Sequence, residues 1–254
     1  MPRTSRSKSN SGVYHILLRS IDQQPIFKKD AECERFLDIL AVYQKKTGYQ
    51  LYAYCLMVDH AHLLIQEGED DISTTMKRIG TSYVNWFNWQ YARSGPLFAD
   101  RFKSEAVEDG HYLLTVLRFI HQNPVKAGIA RDVRDYKWSS FREYMGEKKL
   151  VDPQFVWRMF SCDQEQAIRE LITYNQEDNR DQCLEVPAEK TKTISDGEIK
   201  QAVRMKYKIG LVTIQNQTPQ TQAEILKYMK EMKGTSLRQI ARLTGYSVNK
   251  IYRA

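Results

Sequence analysis

The sequence has few cysteines, and none stands in the Cys-x-x-Cys spacing of zinc knuckles and redox sites. The four thiols are too scattered to favour a secreted disulfide framework, and we expect them to be reduced: Cys33, Cys55, Cys162 and Cys183. The chain also lacks any run of about 18 apolar residues, the length that a membrane-spanning helix needs. Residues 1–10 are basic with no apolar core behind them, so we expect neither a signal peptide nor a membrane anchor. The expected location is cytoplasmic.

Acidic residues are outnumbered by basic ones. Lys and Arg number 38 against 31 Asp and Glu, which gives a net charge of +7 and a pI near 9.1. This excess suits a polyanionic partner such as nucleic acid, although it does not identify one. With 254 residues and 42% hydrophobic content, the chain is long enough for one sizeable core and a second, smaller one.

Periodicity and composition change along the chain and predict five segments. A basic tail is followed by a domain of mixed strands and helices, a helical extension, a charged linker without a clear pattern, and a small helical domain. The boundaries that we expect are 1–12, 13–146, 147–178, 179–195 and 196–254.

The main domain mixes strand and helix patterns. Apolar residues at helical spacing predict helices, and short apolar runs bounded by turn residues predict strands. The expected elements are strand 13–19, helix 30–45, one strand running from Tyr52 through the His pair, helix 70–91, strand 97–107, helix 111–122, and helices 152–160 and 164–176 of the extension. Together they predict an α+β fold with an antiparallel sheet backed by helices.

Two histidines, His60 and His62, lie at the end of an apolar run. Residues i and i+2 of a strand point to the same face, so both imidazoles face one way while Ala61 faces the other. Two imidazoles on one face form half of a metal site. The plain alternative is a pair of hydrogen-bonded polar residues at a strand end.

Motifs along the first 146 residues give this pair a context. They resemble, in residues and in order, those of the HUH single-tyrosine transposases, and most closely the REP-associated tyrosine transposases. The matching segments are 11–15, 25–27, 54–65, 95–98, 101–104, 123–128 and 135–140. The resemblance implies an RNA-recognition-like (ferredoxin-like) sheet, single-stranded or hairpin DNA as the partner, and cleavage through a 5′-phosphotyrosine.

The same resemblance implies a metal site. In that family, a divalent ion is held by the two histidines and by a polar residue one helical turn after the nucleophile, here Asn123. Mixed nitrogen and oxygen ligands suit Mg²⁺ or Mn²⁺. The plain alternative for Asn123 is a helix-terminal residue, with Pro124 ending the helix or lying just past its end.

The nucleophile position departs from the family pattern, because Phe119 stands where the resemblance calls for tyrosine. Phenylalanine keeps the ring but lacks the oxygen that attacks phosphorus, so we expect no cleavage. Two explanations fit: a deliberate substitution made to trap a DNA complex, or a naturally inactive member. The intact remainder of the site favours the first. Tyr112 lies two turns earlier, about 10 Å away, too far to reach the same phosphate.

Basic residues suggest a path for the phosphate backbone. Arg101 and Lys103 alternate with Phe102 on the predicted strand and therefore share a face. Four further cations extend the same path: Lys77, Arg78, Arg118 and Lys126. Each of them, taken singly, is also explained as an ordinary solvated cation.

The C-terminal residues have a helix-turn-helix pattern. Leu237, Ile240 and Ala241 are spaced to pack, Gly245 allows the turn, and Ser247 is placed to cap a second helix. On that helix the DNA-binding candidates are Asn249, Lys250 and Arg253. The alternative is a small packing or dimerisation module.

Three functions are compatible with these features. The first is a transposase-like single-strand DNA endonuclease that recognises hairpin DNA and is inactivated at residue 119. The second is a non-catalytic DNA-binding regulator derived from such an enzyme, and the third is a phosphodiesterase that activates water. We expect a monomer or homodimer associated with the nucleoid and with no membrane partner.

Overall fold

The computed structural model describes residues 7–147, 150–185, 194–232, 235, 237–247 and 250–251. The chain divides into two compact units, Met1–Val186 and Pro187–Ala254. Among the described residues, no helix combines the length and the apolar character needed to cross a membrane.

The first unit contains a four-stranded antiparallel sheet in the order β2-β3-β1-β4. Its strands are β1 (Val13–Arg19), β2 (Gln50–Leu56), β3 (His60–Gln66) and β4 (Lys103–Ala106). Helices α1 (Asp30–Thr47), α2 (Ile72–Gln90) and α3 (Gly110–Lys126) accompany the sheet. The predicted α+β class, an antiparallel sheet backed by helices, is confirmed, and β1 has the predicted bounds.

The strand that carries the His pair differs from the prediction. The apolar run from Tyr52 onward forms two strands, β2 and β3, joined by a tight turn at residues 57–59. The Met57 amide donates to the His60 carbonyl oxygen at 2.8 Å and closes this turn. Asp59 favours such a turn, so the chain reverses there and the histidines begin β3.

Strand β4 is shorter than predicted, with only four residues of the expected 97–107. Residues 97–102 approach the end of β1 without forming a ladder: Phe98 makes an isolated bridge to Ser20, and the Ala99 amide donates to the Arg19 carbonyl oxygen at 3.0 Å. Arg101 therefore lies before the strand and not on it.

Helix α3 extends beyond its predicted end. The Asp109 carboxylate accepts the Tyr112 amide at 2.7 Å and caps the start of the helix. Pro124, which the pattern placed at or past the helix end, lies inside it. Proline lacks an amide hydrogen, but here it falls in the last turn, and the Ala127 amide still donates to the Asn123 carbonyl oxygen at 3.0 Å.

Two further helices complete this unit: α4 (Gln154–Phe160) and α5 (Gln164–Gln176). Helix α5 packs against α3 and α4. Residues 177–185 follow α5 and hydrogen-bond to α3 and β4, although 179–185 have the composition of a linker.

In the second unit, the described residues form α6 (Asp196–Tyr207), α7 (Pro219–Glu231) and α8 (Leu237–Thr244). A 3-10 turn, Leu211–Asn216, connects α6 to α7. The buried side chains form their own small core: Ile199, Val203, Leu211, Ile214, Ile225, Leu226, Met229, Ile240 and Ile251. This matches the expected second, smaller core.

Candidate metal centre and nucleic-acid interface

One face of the sheet collects the chemistry-bearing side chains. His62 on β3 and Lys103 on β4 are both paired with Leu17 of β1, one on each side. Directly paired residues point to the same face, so these two share it. By the same pairing and by alternation along the strands, the face also carries four other polar residues: His15, Arg19, His60 and Glu105.

The two histidines of β3 lie close together. Their ring centroids are 5.3 Å apart and the rings are almost perpendicular. His60 is partly exposed, and its Nδ1 lies 2.7 Å from the Asp59 carboxylate, a hydrogen bond that lowers the pKa of Asp59. His62 is fully buried. The predicted common face of the pair is observed.

Helix α3 places Phe119 against this pair. Its ring packs edge-on at 5.5 Å from the His62 ring, and the side chain is 1% exposed. The Lys126 ammonium lies 5.4 Å from the same ring. Asn123 is half-buried one helical turn after Phe119, so both lie on one side of α3.

His62 has the chemistry of a metal ligand. Within the described part of the chain, the buried Nε2 of His62 has no hydrogen-bond partner. Burial lowers the pKa of His62 well below its ordinary value, and the neighbouring His15 and His60 lower it further, so the ring is neutral and has a lone pair to offer. No cluster of three or more His, Cys, Asp or Glu side chains with metal-binding geometry occurs among the described residues.

Arg101 and Lys103 are both exposed and both line a cavity of about 400 Å³. Lys103 begins β4, whereas Arg101 precedes it, so the prediction that the two share a strand is wrong for Arg101. Lys77, also exposed, lines a largely apolar cavity of about 420 Å³ together with Arg101. Arg78 forms an ion pair with Asp70.

Arg118 is placed differently from the other cations. Its guanidinium binds the Asp181 carboxylate through two hydrogen bonds of 2.8 and 3.0 Å, and a third bond of 3.0 Å reaches Glu177. It also stacks 4.0 Å from the Tyr174 ring centroid. Because these internal partners occupy the guanidinium, we leave Arg118 out of the phosphate path.

Sequence patterns missed His15 and Glu105. His15 belongs to one of the matching segments and alternates with Leu17 on β1, so the period of two was a usable signal for it. Glu105 follows Lys103 by two residues on the predicted strand 97–107, so the same period of two was a usable signal for it as well. The Tyr112 hydroxyl interacts with Glu105 and not with the His pair, and burial raises the pKa of Tyr112.

Two local features of the second unit lie where the helix-turn-helix prediction has a turn and a helix cap. Gly245 has a φ of +73°, and the Ser247 hydroxyl accepts the Lys250 amide at 3.3 Å, as a cap does. The Lys250 ammonium lies 3.9 Å from the Tyr246 ring centroid. Asn249 and Arg253 lie outside the described residues, and DNA binding by this unit stays a prediction.

Known proteins are similar to part of this chain. Residues 8–123 match the family described as "Transposase IS200 like", a span that ends at Asn123. A Haemophilus influenzae protein that carries the name of REP-associated tyrosine transposase is 29% identical over 104 residues, which are 37% of this chain and 59% of that protein. The chain thus spans about three fifths of the length of this curated relative.

A solved structure of a REP-associated tyrosine transposase bound to a REP hairpin matches with a TM-score of 0.50 and 15% identity, over 60% of this chain and 94% of that one. At this identity the match shows the fold. Residues 8–123 are thus similar in sequence to the IS200-like transposases. The resemblance to the REP-associated tyrosine transposases is confirmed by the sequence match, and the solved structure agrees with it in fold.

Proposed function

We propose that this protein binds hairpin DNA with a single-stranded flank at a metal centre held by His60, His62 and Asn123, and that it cannot cleave this DNA. The observation that carries the proposal is the Phe119 ring packed against the His62 ring, with Asn123 one turn further along α3. The family match over residues 8–123 and the hairpin bound by the solved relative support the partner.

Each residue of the proposed centre would have a separate role in binding the metal or the DNA. His60 and His62 offer ring nitrogens from a rigid strand, and Asn123 offers an amide oxygen from α3. An Mg²⁺ or Mn²⁺ ion bound there would polarise the scissile phosphate. Exposed Lys103, together with Lys126 beside the Phe119 ring, would attract the flanking phosphates.

The missing hydroxyl at residue 119 decides the chemistry. In a tyrosine-bearing relative, the phenolic oxygen forms a bond to the 5′-phosphate, the bond to the 3′-oxygen breaks, and a 3′-hydroxyl leaves. Phenylalanine offers no oxygen for the new bond, so this chain would hold the phosphate without attack.

A regulator that has lost catalysis is the second candidate. It is favoured by the complete burial of Phe119, which packs as a core residue against His62 and also against His15, at 5.7 Å between ring centroids. Both candidates predict metal-assisted hairpin binding, and they differ in whether restoring the hydroxyl restores cleavage.

Binding of labelled DNA, measured by fluorescence anisotropy, tests the hairpin binding that both candidates predict. A hairpin with a single-stranded flank is expected to bind more tightly than a blunt duplex, and its affinity should fall as salt rises. The double variant Arg101→Ala, Lys103→Ala should lower the slope of log K against log salt by about 1 to 2. Lys45→Ala, which removes an exposed cation at the end of α1, is the matched control. Equal affinity for the blunt duplex at the same salt would refute the hairpin preference.

A further inference from the structure

A buried histidine outside the proposed ligand set touches one of its members. His15 of β1 places its Nε2 2.9 Å from the Nδ1 of His62, and both side chains are fully buried. On the other side of the His15 ring, Nδ1 lies 3.7 Å from the Glu105 carboxylate of β4. Strands β3, β1 and β4 are adjacent, so the three side chains form a row across the sheet.

We propose that His15 and Glu105 are positioning residues that hold the proton of His62 on Nδ1 and so leave its Nε2 lone pair free for the metal. This inference rests on the proposed metal centre. It adds a second layer of contacts that fixes one ligand, which the family resemblance does not assign.

The hydrogen bond between the two rings allows only two neutral arrangements. In the first, His62 donates from Nδ1 to Nε2 of His15, and His15 then carries its own proton on Nδ1. In the second, His15 donates from Nε2 to Nδ1 of His62, and the His62 proton sits on Nε2, where it blocks metal binding.

Glu105 distinguishes the two arrangements. In the first, the Nδ1–H of His15 points toward a carboxylate that can accept it. In the second, the Nδ1 lone pair of His15 faces the same negative charge with no proton between them, which is unfavourable. The Leu184 amide donates to Glu105 Oε2 at 3.1 Å and helps hold the carboxylate in place.

The first arrangement also accounts for two buried ring nitrogens of this row that lack a hydrogen-bond partner. They are Nδ1 of His15 and Nε2 of His62, at the two ends of the row, and they belong to a larger set of such buried atoms among the described residues. A small approach of Glu105 satisfies the first, and a metal ion satisfies the second. The usual partner of a metal-bound histidine is an acceptor on its other ring nitrogen, and His15 supplies that acceptor.

The proton positions can be read directly without metal. In the ¹⁵N-histidine-labelled full chain, long-range ¹H–¹⁵N correlation spectra distinguish Nδ1–H from Nε2–H rings. The five imidazoles can be assigned by single substitutions. We expect both His15 and His62 to be Nδ1–H, and Glu105→Gln to shift His62 toward the Nε2–H form. A wild-type His62 protonated on Nε2 would overturn the proposal.

Titration with Mn²⁺ alone tests the consequence for binding. His15→Leu removes the acceptor and should weaken Mn²⁺ binding about 10- to 100-fold. His15→Gln, whose amide oxygen can reach the position of Nε2, should recover most of that loss. The control is His121→Leu, the same change at a buried histidine of α3 that bonds Asn175 and Ser140 instead, and it should leave the affinity unchanged.

The outcomes separate this inference from the function on which it rests. A wild-type chain without Mn²⁺ affinity would refute the metal centre itself. Tight binding by the wild type and by His15→Leu alike would refute only the role of His15. Equal weakening by His15→Leu and His121→Leu would show a general effect of core disruption and would also refute that role.

Discussion

Replacing Arg118 by leucine should destabilise the first unit without weakening the proposed binding of DNA. The Arg118 and Asp181 side chains are 10% and 12% exposed, so their paired hydrogen bonds are nearly shielded from water. Removing one partner of a buried pair costs about 3 to 5 kcal/mol, whereas an exposed pair contributes about 0 to 1. Because Glu177 is half-exposed and Asp181 keeps some water contact, we expect a loss of about 3 kcal/mol.

Urea unfolding followed by tryptophan fluorescence measures this loss. All four tryptophans lie before residue 187, so the signal reports on the first unit. The double variant Arg118→Leu, Asp181→Leu should recover part of the stability, since it leaves no buried carboxylate unpaired. Arg101→Ala is the matched control: as an exposed cation it should change stability by less than about 0.5 kcal/mol.

Salt-dependent hairpin binding separates a structural cation from a phosphate contact. Under conditions in which the variant is folded, Arg118→Leu should leave the salt slope unchanged, while Arg101→Ala should reduce it by about 1. An Arg118→Leu protein of unchanged stability with a reduced slope would refute the structural role and restore Arg118 to the DNA surface.

Two further expectations concern acid stability and the second unit. Burial lowers the pKa of His121 to about 3 from an ordinary 6.5. As the pH falls, this histidine is therefore protonated in the unfolded chain before it is protonated in the folded one, and the stability of the fold decreases below about pH 6.5. Between pH 7 and pH 5, His121 should account for a decrease of about 2 kcal/mol in the free energy of unfolding. In urea unfolding, the stability of His121→Gln should depend less on pH by that amount. An unchanged pH dependence would contradict the lowered pKa of His121. Removing residues 196–254 should lower hairpin affinity while leaving Mn²⁺ affinity intact, and unchanged hairpin binding would support a packing role for that unit.

The sequence predicted those parts of the fold that depend on local pattern. Strand β1 and helix α5 have the predicted bounds, because each is a clean periodic segment with clear ends. The hairpin between β2 and β3 was missed because both strands are apolar and only a three-residue turn divides them. Periodicity does not reveal a reversal inside a continuous apolar run.

Those features of the site that depend on residue spacing within a single strand or helix were predictable from the sequence. The common face of His60 and His62, and the single turn between Phe119 and Asn123, follow from strand and helix geometry. Contacts between distant segments were not predictable, because they arise from tertiary packing alone. Asp181 lies 63 residues from Arg118 along the chain, and Glu105 lies 90 residues from His15. For this reason, the sequence pattern indicated a solvated or phosphate-binding cation at Arg118.

The most direct measurement of the central claim is restoration of the hydroxyl by Phe119→Tyr. With labelled hairpin DNA and Mn²⁺, the variant is expected to form a covalent protein–DNA adduct that survives denaturation, because the His pair and Asn123 are already in place. Adding His60→Ala or His62→Ala should abolish the adduct, and the unsubstituted chain should bind without attachment. If Phe119→Tyr binds the hairpin but forms no adduct, the inactive-enzyme account is contradicted and the regulator is favoured. If the unsubstituted chain itself forms an adduct, the nucleophile is elsewhere, and Tyr112 is the first residue to test.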